Sequence, residues 1–359
     1  MAIYEKQQAR PAPLGAKGII HWVKENLFSS IISSILTLVS LYFLYLILPP
    51  LLDWMIFDAT WSGTKEEITK SGARWIFIIE KFNQFIYGFY PEELYWRPNL
   101  ALVIFVTYVI AFRKIHNIKV KAFIIISFPI ICYTLVAGGF GLETVETSKW
   151  GGLLLTIIVA SVGIIASFPI GIIFALGRQS NMPIIKTISV IYIEFIRGVP
   201  LITLLFMSSV ILPLFFPEGM DFDKLLRALI GITLFQAAYI AEVVRGGLQA
   251  IPKGQYEAAD ALGLTYWKKM GLVILPQALK ISIPNIVGSF ISLFKDTTLI
   301  LIIGLFDILA MVTLTNSDTN WLGFETEGYV FVTMIYWVIC FSMSKYAKSI
   351  EIKFNTDRK

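Results

Sequence analysis

An all-α integral membrane protein is what this sequence predicts. Of its 359 residues 56% are hydrophobic and only 15% charged, and the mean hydropathy is +0.72, far more apolar than a water-soluble chain of this length. The apolar residues come in blocks of about 20, the length at which a helix crosses a hydrocarbon core. Gly and Pro are scattered inside these blocks, as membrane helices tolerate. The alternating polarity that a membrane β-barrel needs is absent from the sequence.

About eight spans are expected, at roughly 28–48, 98–112, 121–139, 151–176, 184–213, 225–244, 273–293 and 328–346. The polar N-terminus carries Lys6, Arg10, Lys17 and Lys24. Pro49-Pro50 and bulky residues follow the first block where a signal peptide would have a cleavage site, so the block is read as a retained helix. Lys and Arg gather in the N-terminus, the Arg113 to Lys121 loop, the Arg178 to Lys186 turn, the Arg245 to Lys269 segment and the Lys345 to Lys359 tail. These flanks, and both termini, are therefore expected in the cytoplasm. The first outer loop, about 49–97, runs against the trend with Lys65, Lys70, Arg74, Lys81 and Arg97, which a long loop tolerates. Its aromatics, Trp54, Trp61, Trp75, Phe82, Phe85, Tyr87, Tyr90, Tyr95 and Trp96, fit a segment lying at the membrane interface, with contact to a binding protein as the alternative.

The chain divides near Lys149: residues 1–149 read as a three-helix N-terminal extension with a long periplasmic loop, and 150–359 as a five-helix unit with a polar cytoplasmic segment at about 246–272. Cys132 and Cys340 lie far apart inside apolar blocks, and His21 and His116 sit beside basic flanks, so no zinc, haem or other metal site is expected. The net charge of +5 is spread over the inner loops, which is not a nucleic-acid footprint but suits contact with a lipid bilayer.

The most informative stretch runs from Gly254 to Gly263. Ile251-Pro252-Lys253-Gly254 breaks the preceding structure, and Gln255 to Leu262 is a helix-forming run with Glu257 in its first turn, favourable to the helix dipole. Gly263 stands where a helix-terminating glycine belongs. Tyr256, Ala259 and Leu262 or Gly263 share a face, and the small Ala258 and Ala259 would let another surface approach closely. Thr265 is positioned to cap a second short helix. Ile274-Leu275-Pro276 then marks the return to the membrane. An ordinary connecting helix is the plainer reading of the Glu-Ala-Ala triplet alone.

Ionisable residues inside spans are costly and are functional candidates. Glu194 and Arg197 lie three residues apart near mid-span, and Glu242 and Arg245 repeat the spacing, so each could be a self-neutralised pair. A zwitterionic amino acid needs a cation for its carboxylate, which makes Arg197 a candidate contact with Glu194 as partner or ammonium site; a salt bridge holding helices in register is the alternative. Lys295 and Asp296, at the outer end of the seventh span, read as a gate, a binding-protein contact or a structural ion pair.

The Glu-Ala-Ala triplet with Gly263 and Ile274-Leu275-Pro276 in register resembles the EAA loop of ABC-importer permeases. Glu194-Phe195-Ile196-Arg197-Gly198-Val199-Pro200-Leu201, Ala238 to Gly247, Gly254-Gln255, Leu275-Pro276-Gln277-Ala278 and Lys295-Asp296-Thr297-Thr298-Leu299 resemble the polar-amino-acid branch, similar to the histidine and glutamine importers. The N-terminal extension resembles that of the larger permeases of general L-amino-acid uptake systems in Gram-negative bacteria. The resemblance implies a type I ABC-importer transmembrane domain in the bacterial inner membrane, paired with a second, probably non-identical permease subunit, two ABC ATPase subunits and a periplasmic amino-acid-binding protein. It implies too that Gly254, Gln255, Glu257, Ala258, Ala259 and Gly263, with Ile274, Leu275 and Pro276, couple the chain to the ATPase. The chain has no phosphate-binding loop of its own, so no catalytic residues are expected in it, and ATP with Mg would be held by the partner subunits. An ion-coupled secondary amino-acid transporter is the competing function; it would need related halves with broken helices, and no internal repeat is evident.

Overall fold

The computed structural model describes residues 18–62, 72–115, 117–217, 222–318 and 321–356. Lys6, Arg10, Lys17, Lys65, Lys70, His116 and Lys359 lie outside the described residues. The helices are α1 (Ile19–Leu27), α2 (Ile31–Leu52), α3 (Ile76–Glu80), α4 (Phe82–Tyr87), α5 (Trp96–Lys114), α6 (Ile118–Ala137), α7 (Gly152–Arg178), α8 (Pro183–Gly198), α9 (Leu201–Phe206), α10 (Lys224–Gln249), α11 (Lys253–Ala261), α12 (Tyr266–Lys269), α13 (Leu275–Asp296), α14 (Ile308–Asn316) and α15 (Glu325–Thr356). They form two compact units, 1–76 and 77–359, so residues 77–149 fold with the unit that follows Lys149.

Among the described residues five helices are long and apolar enough to cross a membrane: Ile31–Phe57, Gly152–Arg178, Lys224–Gln249, Tyr266–Ile303 and Glu325–Ile352. A bent pair, Pro183–Gly198 with Leu201–Phe215, brings the number to six when it is taken as one span. Helices α5 and α6 coincide with the expected second and third spans but stand outside this set, in which only Ser127–Ala137 appears as a shorter apolar piece. The fifth expected span, 184–213, is not one straight helix: its halves bend by 107°. Pro200 has no N–H to give and forces Val199 out of the helical region, to φ −107 and ψ 136.

In the first unit, the helix does not stop at Pro49-Pro50. It continues through them into a wide turn over Asp53–Phe57, where the Asp53 N–H reaches the carbonyls of Pro49 and Pro50. Trp75 then folds back, donating from Nε1 to the Met55 carbonyl at 2.8 Å and meeting the rings of Trp54 and Trp61.

The second unit is organised around α10, which packs against α7, α13, α8 and α9. Small residues permit this. A methyl group at Gly171 of α7 would lie 2.9 Å from the Ala237 carbonyl oxygen, so the backbones of α7 and α10 touch. Interhelical hydrogen bonds add register, from Gln236 Nε2 to Ser289 Oγ at 2.9 Å and from Ser282 Oγ to the Val243 carbonyl at 3.3 Å. Phe85 and Tyr90 are buried in this unit, Tyr90 donating to the Val136 carbonyl at 2.8 Å. Of the aromatics after residue 77, Phe85 and Tyr90 are thus packed within the protein, whereas Phe82 and Trp96 stay exposed. Between α6 and α7 the chain makes a tight turn at Phe140-Gly141, closed by reciprocal Gly139 and Leu142 backbone bonds of 3.1 and 3.0 Å.

Candidate functional site

Helix α11 begins at Lys253, two residues earlier than the sequence suggests, with Pro252 at its N-cap and Gln255 N–H bonded to the Pro252 carbonyl at 3.0 Å. Gly254 therefore sits inside the first turn and Glu257 beyond it; the expected interaction of Glu257 with the helix start is not made. The other end matches expectation. Gly263 has φ +67, its N–H bonds to the Asp260 carbonyl at 2.9 Å, and the Leu264 N–H reaches the Ala259 carbonyl at 3.2 Å, which is a Schellman closure. Thr265 occupies the N-cap of α12, but its side chain makes no capping bond.

The shared face of Tyr256 and Ala259 exists, yet it points inward. Ala259 is 2% exposed, and Tyr256 packs against the cluster of Val244, Leu248 and Met270 while donating to the Leu248 carbonyl at 3.3 Å. Burial pushes the Tyr256 phenol up from its ordinary value of 10.0, with the Lys269 charge opposing. The outward face is formed by Gly254, Gln255, Glu257, Ala258, Leu262 and Gly263, all exposed, with Leu262 at 77%. Two side-chain links bind this helix to the span that follows: Asp260 to Lys269 Nζ at 2.6 Å, and Gln277 Nε2 to Gln255 Oε1 at 3.1 Å.

That span is continuous from Tyr266 to Ile303. Pro276 lies within it and marks no break, because the wide turn over Met270–Ile274 absorbs the missing N–H. Ile274 is fully buried, Leu275 half-buried and Pro276 exposed.

Of the two charge pairs expected, Glu242 with Arg245 forms and Glu194 with Arg197 does not. Glu194 does not meet Arg197; it bonds Arg178 Nη1 at 2.7 Å. Glu242 gathers Arg178 at 3.4 Å, Arg197 at 3.7 Å and Arg245 Nε at 2.9 Å, while Arg197 also lies over the Tyr239 ring at 5.8 Å. Arg178 is the last residue of α7, so the cluster sits at the C-terminal end of that helix and not at mid-span. Three guanidiniums face two carboxylates, leaving one positive charge in surplus.

Beside the cluster lies a polar cavity of about 350 Å³, bounded by Glu242, Arg245, Gly246, Ser282 and Asn285. Lys295 and Asp296 are not part of it. They lie about 15 Å further along α13 from Asn285, Lys295 exposed and Asp296 half-buried, and neither forms an ion pair among the described residues. Arg178 and Asn285 were missed as site residues in the sequence. Arg178 reads as a flanking topology charge, whereas Asn285 had a visible signal, an amide next to Pro284 inside an apolar helix.

Residues 167–353 match the family described as binding-protein-dependent transport system inner membrane component. The chain is 55% identical over 354 residues to the inner membrane amino-acid ABC transporter permease protein YhdY of Escherichia coli (strain K12), covering 97% of this chain and 96% of that protein. It is 37% identical over 427 residues to the glutamate/glutamine/aspartate/asparagine transport system permease protein BztC of Rhodobacter capsulatus, covering 98% and 97%. Among solved structures, a crystal structure of an amino acid ABC transporter with histidines matches with a TM-score of 0.50 at 30% identity, over 56% of this chain and 92% of that chain. With the family match spanning over half the chain and two relatives aligned nearly end to end, the chain belongs to the binding-protein-dependent transport system inner membrane components, the membrane-spanning permeases of ABC transporters.

Proposed function

We propose that this chain is the permease subunit of an ATP-driven amino-acid importer and that α11 is the helix through which the ATPase moves it. The observation that carries the reading is the architecture of α11: a blunt helix, closed by Gly263, with an exposed outer face and with Asp260 and Gln255 fastened to the following span. A rigid connection of this kind turns a push on the helix into movement of α13, as alternating access requires. Glu257 and Ala258 on the outer face would meet the ATPase, while the buried Ala259 keeps α11 against its own subunit. The chain is a transport component, and ATP hydrolysis with its Mg belongs to the partner subunits.

The same reading assigns the chain to a bacterial inner membrane with eight spans, both termini cytoplasmic, residues 150–359 as the transport core and 1–149 as the extension. It completes the assembly with a second permease subunit, two ATPases and a periplasmic amino-acid-binding protein. Relatives named for amino acids support the substrate class, as does the chemistry beside the cavity of about 350 Å³. Its surplus guanidinium suits a carboxylate and Glu242 or Glu194 an ammonium, with Arg197 the expected contact.

The test reconstitutes the chain with its partner subunits and measures ATP-dependent amino-acid uptake. Gly263→Val, which forces a β-branched residue to φ +67, and Glu257→Trp on the outer face are expected to lose ATPase attachment and uptake. Unchanged assembly and uptake in both would sink the docking assignment. Normal transport by Arg197→Ala would dismiss the substrate contact.

A further inference from the structure

We propose that the turn carrying Phe140 is an outer docking knob for the substrate-binding component of the transporter, an inference that rests on the permease reading above. Phe140 is 99% exposed and, among the described residues, is the non-glycine with positive φ, at 51. A bulky aromatic adopts that conformation only where the surroundings impose it. They do so here. The turn is closed on both sides by the Gly139 and Leu142 bonds, and its base is locked by Val145 N–H to the Ala137 carbonyl at 2.9 Å, by Arg97 Nη1 to the Glu143 carbonyl at 2.6 Å and by Tyr90 to Val136. Val145, Arg97 and Tyr90 are all buried. The ring is thus held outward on a stiff support, which is what a pre-organised aromatic anchor needs and what a membrane anchor does not.

Charge selects the occupant. Glu143 and Glu146 follow the turn and are exposed, and exposed Glu92 and Glu93 precede α5 at the same end of the hairpin, where Tyr90 reaches Val136. An acidic rim disfavours anionic lipid headgroups and complements a protein with an apolar socket ringed by basic groups. The knob is also connected inward. The Thr147 hydroxyl donates to the Asp223 carboxylate, and Asp223 caps α10 by accepting from the Leu226 N–H at 3.0 Å. Helix α10 then runs unbroken to Gln249, directly before α11. A partner seated on Phe140 therefore presses on the helix that leads to the ATPase side.

The experiment titrates the complete transporter, in lipid nanodiscs, with its own amino-acid-loaded binding component and reads the concentration at half-saturation. Phe140→Gly suits a positive φ and keeps the turn; Phe140→Asp removes the ring and extends the acidic rim. Both are expected to raise half-saturation about tenfold or more. Values within about twofold of the parent in both variants overturn the proposal, as does a shift that instead follows the anionic-lipid content of the nanodisc. Failure of the parent itself to bind the component overturns the permease reading, an outcome distinct from equal binding by parent and variants.

Discussion

Gln277 Nε2 donates both to Gln255 Oε1 at 3.1 Å and to the Val273 carbonyl at 2.9 Å. One amide thus joins α11 to the wide turn that lets Pro276 stay inside the span. Together with the Asp260–Lys269 pair it makes two fastenings between α11 and the following helix. Each is exposed on at least one side and contributes only about 0.5 kcal/mol to global stability. Under the permease reading proposed above, their effect on transport is mechanical. Combining Gln255→Ala with Asp260→Ala is expected to leave the melting temperature within a few degrees of the parent and to preserve ATPase attachment, while uptake per ATP hydrolysed falls several-fold. Parallel measurement of uptake and hydrolysis in proteoliposomes decides it, and an unchanged ratio would show that the fastenings carry no force.

Glu242 is the hub of the charged cluster, with three arginines within 3.7 Å and a side chain only 22% exposed. Neutralising it strands guanidiniums in a poorly solvated site. Glu242→Gln is expected to cost about 2 kcal/mol, on the low side for a broken buried pair because some solvent reaches it. Arg197→Ala removes the surplus charge instead and is expected to cost less. In the double variant the two losses should not add, the coupling being about 1 kcal/mol. Thermal denaturation of the purified assembly measures all four corners of this cycle, and strict additivity would mean that Arg197 and Glu242 do not sense each other.

The helical class, the membrane location and the existence of α11 were legible because they rest on local signals: apolar runs of span length, a proline before the helix and a glycine after it. The bend at Pro200 carried the same kind of signal, since Gly198-Val199-Pro200 is a strong breaker, but apolar length on both sides hid it. The ion pairing was legible only in part, for Glu242 and Arg245 pair as their spacing suggests but Glu194 and Arg197 do not. Spacing of three puts Glu194 and Arg197 on one face of α8, and nothing in that periodicity reveals that the end of α7 brings Arg178 closer. Which face of α11 is outward was also hidden, because Ala258 and Ala259 are chemically identical and only the cluster around Leu248 and Met270 distinguishes them.

Tyr256 gives α11 a predictable pH response. Burial raises its phenol above the ordinary 10.0, so folding favours the neutral form. The stabilisation is fully present below the unfolded value of 10.0 and is lost as pH rises through the higher folded value. Attachment of α11 is therefore expected to be indifferent to pH across the neutral range and to loosen only in strong alkali, as read by limited proteolysis of the 250–265 segment. Tyr256→Phe removes the bond to Leu248, lowers protection by about 1 kcal/mol at pH values below the alkaline step and abolishes that step. An alkaline transition surviving in that variant would assign the response to another group.

Gly246 and Gly247 are neighbours on α10, yet opposite outcomes are expected for them. A methyl group at Gly247 would stand 2.0 Å from Ser282 Oγ and 2.5 Å from the Ala278 carbonyl oxygen, whereas nothing lies within 4 Å of one at Gly246. The serine hydroxyl can rotate away; the carbonyl cannot. Gly247→Ala must therefore push α10 and α13 apart, at a cost of about 2–3 kcal/mol, and it does so where α11 leaves the one helix and is fastened to the other. Gly246→Ala meets no obstacle, and by reducing backbone freedom it is expected to be neutral or to stabilise by up to about 1 kcal/mol. It also narrows the polar cavity that Gly246 helps to bound, so its effect on uptake separates from its effect on stability. Melting temperature and substrate half-saturation measured on both variants give the four values required. Equal stability of the two would refute the backbone contact between α10 and α13, and a Gly246→Ala variant with unaltered half-saturation would place the substrate path elsewhere than beside Glu242.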